Sequence, residues 1–397
     1  MSAYEHGLKR NIGIYSWYKI FTKRLYLPLI AIQLVNVGKV SLEEIALIAS
    51  ITSVVSFILQ MPGGYLADKW GNKNAVVFGS AIATFSPLFY IFMPNFWGGL
   101  FASLLFFGGY TFQSGAIEAF IHDTLKALGR EKEYSKVLGR AQTYGLLGNV
   151  VLMVAVPATY AINTSLPFIL GTISLLIMTV LVASFKVPRK ESDAAAPKNP
   201  VNAVRSIVTP QNVILFLFAG AMSGAITQGT GFQELLFQDI GVPVTWFGFI
   251  LAIGSLVGAL LGWYIHILDR LKPLSFYFLD LAIIASGFIA AGITRNEWIV
   301  ITAFILLAAY GRVRLIIFQA KLLASIQHTY KATLISALNL FTTIAQVGAI
   351  TLLTFYVTNT NLSEGHLLFG ASVFAIGLLF IFIMLVEARR GAIKNAG

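Results

Sequence analysis

Gly64-Tyr65-Leu66-Ala67-Asp68-Lys69-Trp70-Gly71-Asn72-Lys73 stands between two long apolar stretches, 42–66 and 74–93, and its reading decides the fold. Each residue has a physical use in a short link between two helices. Gly64 lets neighbouring backbones approach, and Gly71 permits a tight turn because it has no Cβ to clash. Asp68 can accept from amides at a helix start. Lys69 and Lys73 are placed to anchor to anionic lipid headgroups. The flanking stretches matter as much, since each is long enough at about 1.5 Å per residue to cross about 30 Å of hydrocarbon.

Such stretches recur from Ile12 to Val386. The 397 residues are 57% apolar and 11% charged, against about 25% charged in an ordinary soluble domain. Water alone does not suit that surface; a bilayer does. Twelve transmembrane helices are predicted over 12–37, 42–66, 74–93, 96–122, 138–162, 165–186, 211–237, 244–267, 273–293, 297–323, 332–358 and 364–387. The polar start, Met1 to Arg10, leads directly into the first span without a small-residue cleavage site, so no removable signal is expected. The chain has no cysteine, which removes disulfides, thiolate metal sites and cysteine catalysis.

The net charge of +11 is not the signature of a nucleic-acid binder, because the basic residues lie between spans rather than on a soluble face with stacking aromatics. One set of loops holds Lys9 and Arg10, Lys69 and Lys73, the run from Lys126 to Arg140, Lys186 to Arg205, Arg270 and Lys272, Lys321 and Lys331, and Arg389 to Lys394. The opposite loops hold Lys39 and Arg295. The positive-inside rule then places both termini in the cytoplasm. The stretch around 187–210, with Pro188, Pro197, Pro200 and Pro210, reads as a linker between six-helix bundles at 1–186 and 211–397. Asp68-Lys69 after the second span recurs as Asp269-Arg270 after the eighth, as a parallel internal repeat would have it.

The 64–73 passage resembles the major facilitator signature Gly-x-x-x-Asp-(Arg/Lys)-x-Gly-x-(Arg/Lys), and it stands where that family carries it. The resemblance implies an all-α membrane fold of two six-helix bundles and a secondary transporter working by alternating access. It also implies that Gly64, Asp68, Lys69, Gly71 and Lys73 form a latch on the cytoplasmic side. Some residues depart from the family's patterns. Asn72 stands where a basic residue is frequent, and Ile265 stands where the second copy of the signature would have glycine. The fourth span lacks the Arg of drug antiporters, and Leu152-Met153 replaces their Gly-Pro pair in the fifth.

In the family, spans 1, 4, 7 and 10 line the transport cavity, and most of the in-span charges fall on them. A charge at mid-bilayer costs at least about 2.5–3.5 kcal/mol on insertion scales, so each needs a partner, water or a purpose. Span 1 carries Lys19, Lys23 and Arg24; span 4 carries Tyr110 and Glu118, with His122 and Asp123 at its inner end; span 7 carries Gln228, Gln233 and Glu234; span 10 carries Arg312 and Arg314. Glu118, with Asp123, is the expected proton-coupling group. The structural alternative is a permanent pair of Glu118 with Lys23 or Arg24. Lys19 and Lys23, four apart, are expected on one helical face, with Lys19 near enough to the membrane surface to snorkel.

Basic residues outnumber acidic ones on these four spans, which suits a carboxylate, phosphate or zwitterion. The expected substrate-binding set is Lys23, Arg24, Tyr110, Gln228, Glu234, Arg312 and Arg314. Arg312 and Arg314 are two apart and cannot share a face, and Arg312 is preferred for substrate. Asp280 in span 9 reads as a structural partner. Gly254, Gly258 and Gly262 are spaced for close helix contact, and Pro28 for a bend in span 1.

The chain has no phosphate-binding Gly-x-x-x-x-Gly-Lys-(Ser/Thr) loop, no His-Glu-x-x-His pair, and no loops long enough for a nucleophile with its base. No enzymatic activity, metal or cofactor is expected. The sequence reading is a monomeric, proton-coupled exporter of small amphipathic or anionic organic molecules in a bacterial inner membrane, with protons, substrate and lipids as its partners. Import of an organic anion and lipid flipping are the alternatives.

Overall fold

The computed structural model describes residues 3–188, 210–263, 271–324 and 331–394. Among them the secondary structure is helical, and each predicted span has a helix or a broken pair of helices. The linker and the second copy of the signature at Asp269-Arg270 lie outside the described residues.

Nine helices among the described residues are long and apolar enough to cross a membrane, or ten when Val213–Gly229 and Gln233–Asp239 are taken as one bent span. The first span is interrupted, and the tenth, Glu297–Ala324, lies partly outside the described side chains and carries Glu297, Arg312 and Arg314 in the rest. Large apolar side chains such as Phe92, Ile162 and Phe382 point outward, as they do where lipid is the solvent. The protein is a multi-pass membrane protein.

The chain divides into two compact units, one of Met1–Ala194 with Val244–Ala252, the other of Ala195–Pro243 with Ile253–Gly397. In the first, α1 is Ala3–Phe21, α2 is Leu42–Trp70, α3 is Asn72–Phe92, α4 is Phe96–Gln113, α5 is Ala116–Ala127, α6 is Tyr134–Ala158 and α7 is Leu166–Ala183. Ser41 and Glu44 start α2 with a reciprocal cap: the Glu44 amide donates to Ser41 Oγ at 3.2 Å and the Ser41 amide to Glu44 Oε2 at 2.8 Å. Gly71 is the single residue between α2 and α3, at φ +85°, where an L side chain would be strained. One core cluster joins Tyr15, Tyr18, Phe120, Ile121 and Met178; another joins Tyr26, Leu34, Tyr90 and Phe168.

In the second unit, α8 is Pro210–Gly229, α9 is Gln233–Asp239, α10 is Phe247–Trp263, α11 is Pro273–Ile293, α12 is Glu297–Ala324, α13 is Lys331–Asn359 and α14 is Leu362–Lys394. The division of the chain places the first residues of α10 with the first unit. Further along, a Cβ at Gly258 would lie 2.9 Å from Arg312 Cδ and 3.3 Å from Ala309 Cα, so the small residues of α10 let it close on α12. The aromatics Phe216, Phe218, Phe276, Phe288 and Phe318 are buried between helices.

Candidate functional site

Three spans that the sequence predicts as continuous are broken, and charged or amide side chains stand at each break. The first span stops at Phe21, passes through an irregular stretch, and resumes at Leu27–Leu29 with Pro28 at its start, continuing as a wide π-helical turn over Gln33–Val37. Its orphaned carbonyls are satisfied by neighbours: Asn149 Nδ2 donates to Lys19 O at 3.1 Å and Ser174 Oγ to Phe21 O at 3.4 Å. The fourth span breaks between Gln113 and Ala116, where Gly115 sits at φ +80°. The seventh breaks between Gly229 and Gln233 with a bend of 42°. Irregular backbone of this kind is tolerated at membrane depth where it is buried in protein or lines a watery cavity.

In the first unit the break repositions every basic residue of the span. Lys19 Nζ lies 3.7 Å from Glu118 Oε1. Lys19 thus faces Glu118, while Lys23 and Arg24 lie beyond the end of α1 at Phe21, so Lys19 and Lys23 do not share one continuous helix. Glu118, in the first turn of α5, has a side chain 50% exposed. Asp123 is farther along α5 and accepts from Asn72 Nδ2 at 3.5 Å. Lys23 is exposed, and so is Tyr110 near the end of α4.

Arg24 is only 8% exposed. Its Nη2 donates to the Tyr90 hydroxyl at 3.2 Å, which lies 3.3 Å from Ser103 Oγ. The guanidinium carbon lies 4.4 Å from the Phe106 ring centre, 5.1 Å from Phe107 and 5.8 Å from Tyr26. Its Nε–H has no hydrogen-bond partner, and among the described residues no carboxylate pairs with it. Aromatic faces can hold a guanidinium, but at about 0.5–2 kcal/mol each they do not neutralise it.

In the second unit the second arginine of α12 is closed off. Arg314 Nε donates to Asp280 Oδ1 at 2.6 Å and Nη2 to Oδ2 at 3.0 Å, a bidentate pair that is 1% and 0% exposed. Nη1 donates to Ser223 Oγ at 2.5 Å and Ala219 O at 3.3 Å, and the Tyr310 hydroxyl donates to Asp280 Oδ1 at 2.7 Å. The cluster ties α8, α11 and α12 together. Four of the five Arg314 N–H donors are thus taken up within the unit and the side chain is 1% exposed, which sets it against the substrate role expected for it, while Asp280 has the structural partner expected of it. Arg312, on another face of α12, is exposed and donates to Ser255 Oγ at 2.9 Å. Gln228, just before the break of the seventh span, is half-buried. Glu234, just after it, is buried and accepts from Gln233 Nε2 at 2.9 Å.

The signature passage is partly described. Gly64 and Asp68 lie in α2, with their side-chain surroundings outside the described residues, and Lys69 is exposed. Lys73 is not turned to lipid headgroups; its Nζ donates to Phe185 O at 2.8 Å, capping the chain end that follows α7.

The arrangement of helices has counterparts among solved structures. It matches the nucleoside transporter NupG at a TM-score of 0.74 and 13% identity over 95% of this chain and 99% of that one. It matches the POT family transporter PepTSo at 0.72 and 12% identity over 98% and 99%. A bacterial homologue of the human lysosomal transporter Spinster matches at 0.67 and 15% identity over 97% and 96%. At these identities the likeness establishes the fold. The family model described as Major Facilitator Superfamily matches residues 16–349, most of the chain, and this protein therefore belongs to the major facilitator superfamily, as a secondary transporter and not an enzyme.

Proposed function

We propose that this protein is a proton-coupled exporter of small organic anions with an apolar or aromatic body, working by alternating access in a bacterial cytoplasmic membrane with both termini inside. The observation that carries the substrate class is Arg24: a guanidinium buried among Phe106, Phe107 and Tyr26, with an unpartnered Nε–H and no carboxylate among the described residues. A carboxylate or phosphate would supply the missing acceptor, and the rings would take the apolar body. The halves 1–186 and 211–397 are the moving bodies, and the passage Gly64, Asp68, Lys69, Gly71 and Lys73 is the latch between their states. Lys23 and Tyr110 are the further substrate contacts in this reading.

The test is substrate-evoked proton movement in proteoliposomes with an imposed pH gradient, screening aromatic carboxylates and phosphates beside neutral analogues. An anion that moves opposite to protons in wild type, and fails to do so in Arg24→Gln, is the expected result. Protons moving with the anion would make the protein an importer. Equal handling of neutral analogues would remove Arg24 from recognition.

A further inference from the structure

The seventh span holds a buried carboxylate that differs from every other acid among the described residues. Asp280, the other buried one, is neutralised by Arg314, and Glu118 is half exposed beside Lys19. Glu234 is 8% exposed within the protein itself, and its one side-chain hydrogen bond comes from the neutral amide of Gln233. No ion pair reaches it among the described residues.

The segment that bears it, α9, packs against α12 and α14. Among described side chains the charged or titratable groups on those helices are Glu297, Tyr310, Arg312 and Arg314, and Glu364, His366 and Glu387, and the Tyr310 hydroxyl donates to Asp280. Arg314 is held by Asp280, and Arg312 donates to Ser255. His366 is fully buried between Phe288 and Phe304, with Nδ1 2.6 Å from Leu362 O and Nε2 unpartnered. On α9 itself, Asp239 is paired with Arg295. A bare carboxylate in so dry a place is too costly to leave uncompensated, and the compensation is either a cation or a proton. Glu234 also stands in the first turn after the bend at 230–232, the place where a change in the angle between α8 and α9 would alter its access to water.

We propose that Glu234 is the group that takes up and releases the coupling proton, with the bend in the seventh span as the device that switches it between dry and wet surroundings. The inference rests on the proton-driven reading above and transfers to Glu234 the role that the sequence suggested for Glu118. The proton binds one carboxylate oxygen while Gln233 keeps its hydrogen bond to the other. On release the proton passes to water admitted at the bend.

The experiment is pH-difference infrared spectroscopy of the full chain in proteoliposomes, read in the carboxylic C=O stretching region, in choline chloride and again in sodium chloride. The expected result is a protonated carboxyl band that disappears as pH rises, is absent in Glu234→Gln and persists in Glu118→Gln. Glu234→Asp, which retains the carboxyl, keeps a titrating band with a moved midpoint. That variant and wild type suffice should the amide variant fail to fold. A band that survives in Glu234→Gln, or the lack of any titrating band in wild type, overturns the proposal. So does loss of the band on adding sodium alone, which would make Glu234 a metal-cation site. No substrate is needed, so the outcome is separate from the identity of the transported anion. A titrating Glu234 without any pH-driven transport would sink the proton-coupled reading and leave the site.

Discussion

Arg24 and Arg314 are both arginines inside membrane spans, both more than nine-tenths buried, and both laid against an aromatic ring. They differ in what completes them. Arg314 has a bidentate carboxylate, a hydroxyl and a carbonyl, all from its own unit, so its desolvation is met by the fold. Arg24 has one phenol and several ring faces, and its Nε–H is left over. Burial alone therefore does not mark a functional charge in a membrane protein. The informative quantity is the account of donors and acceptors, and the residue whose account stays open is the one with room for a ligand.

The comparison breaks most severely at Asp280. Asp280→Ala would strand Arg314 as an uncompensated buried charge and is expected to destabilise the protein by about 3–5 kcal/mol. Thermal unfolding of purified protein in detergent measures it, and replacing the pair together by Leu and Met should recover most of the loss. If Asp280→Ala unfolds like wild type, the cluster is not structural. Next comes Arg24. Arg24→Gln should leave the unfolding temperature near that of wild type, because no carboxylate is left behind. It should weaken anion binding by about 10–100-fold, the worth of a charged hydrogen bond at about 1.5–3 kcal/mol. Titration with the anion found by transport screening reads this, and a large fall in stability with unchanged affinity would reverse the roles of the two arginines. Smaller again is Tyr310→Phe, which removes only the 2.7 Å hydrogen bond to Asp280 while the salt bridge stays. About 0.5–1.5 kcal/mol is expected, or up to about 3 with a charged acceptor, on the same unfolding assay.

How much of this was legible in the sequence depends on the range of the interaction. The spans were readable because apolar runs report solvent locally: 273–293 and 42–66 agree with α11 and with most of α2. The tight turn at Gly71 was readable for the same reason, since it needs one residue with a positive φ. The separation of Arg312 from Arg314 onto different faces followed from helical geometry. The breaks were not seen, because Thr22, Ser114 and Thr230 interrupt apolar runs too briefly to alter them. The available signals were Pro28, Gly115 and the Gly229-Thr230-Gly231 run, and each also fits an unbroken span. Partners far apart in the chain were beyond reach. Nothing in the sequence around Arg24 says that Tyr90 rather than Glu118 meets it, and Glu234 reads as a substrate contact because the lack of a cation around it among the described residues is a property of the packed helices.

The Lys19–Glu118 pair supplies the smallest effect and tests the same principle from the other side. Its oxygen and nitrogen are 3.7 Å apart, with the Lys19 side chain 19% and the Glu118 side chain 50% exposed, so water and salt share in stabilising the carboxylate end of the pair. Exposed pairs of this kind contribute about 0–1 kcal/mol. Glu118→Gln is therefore expected to move the unfolding temperature little, and that small shift should shrink further between low and high salt as screening replaces the partner. A loss as large as that of Asp280→Ala would mean that the pair is dry in the membrane. Glu118 would then join Asp280 as a carboxylate that the fold depends on, and Glu234 would no longer be set apart from it by its surroundings alone.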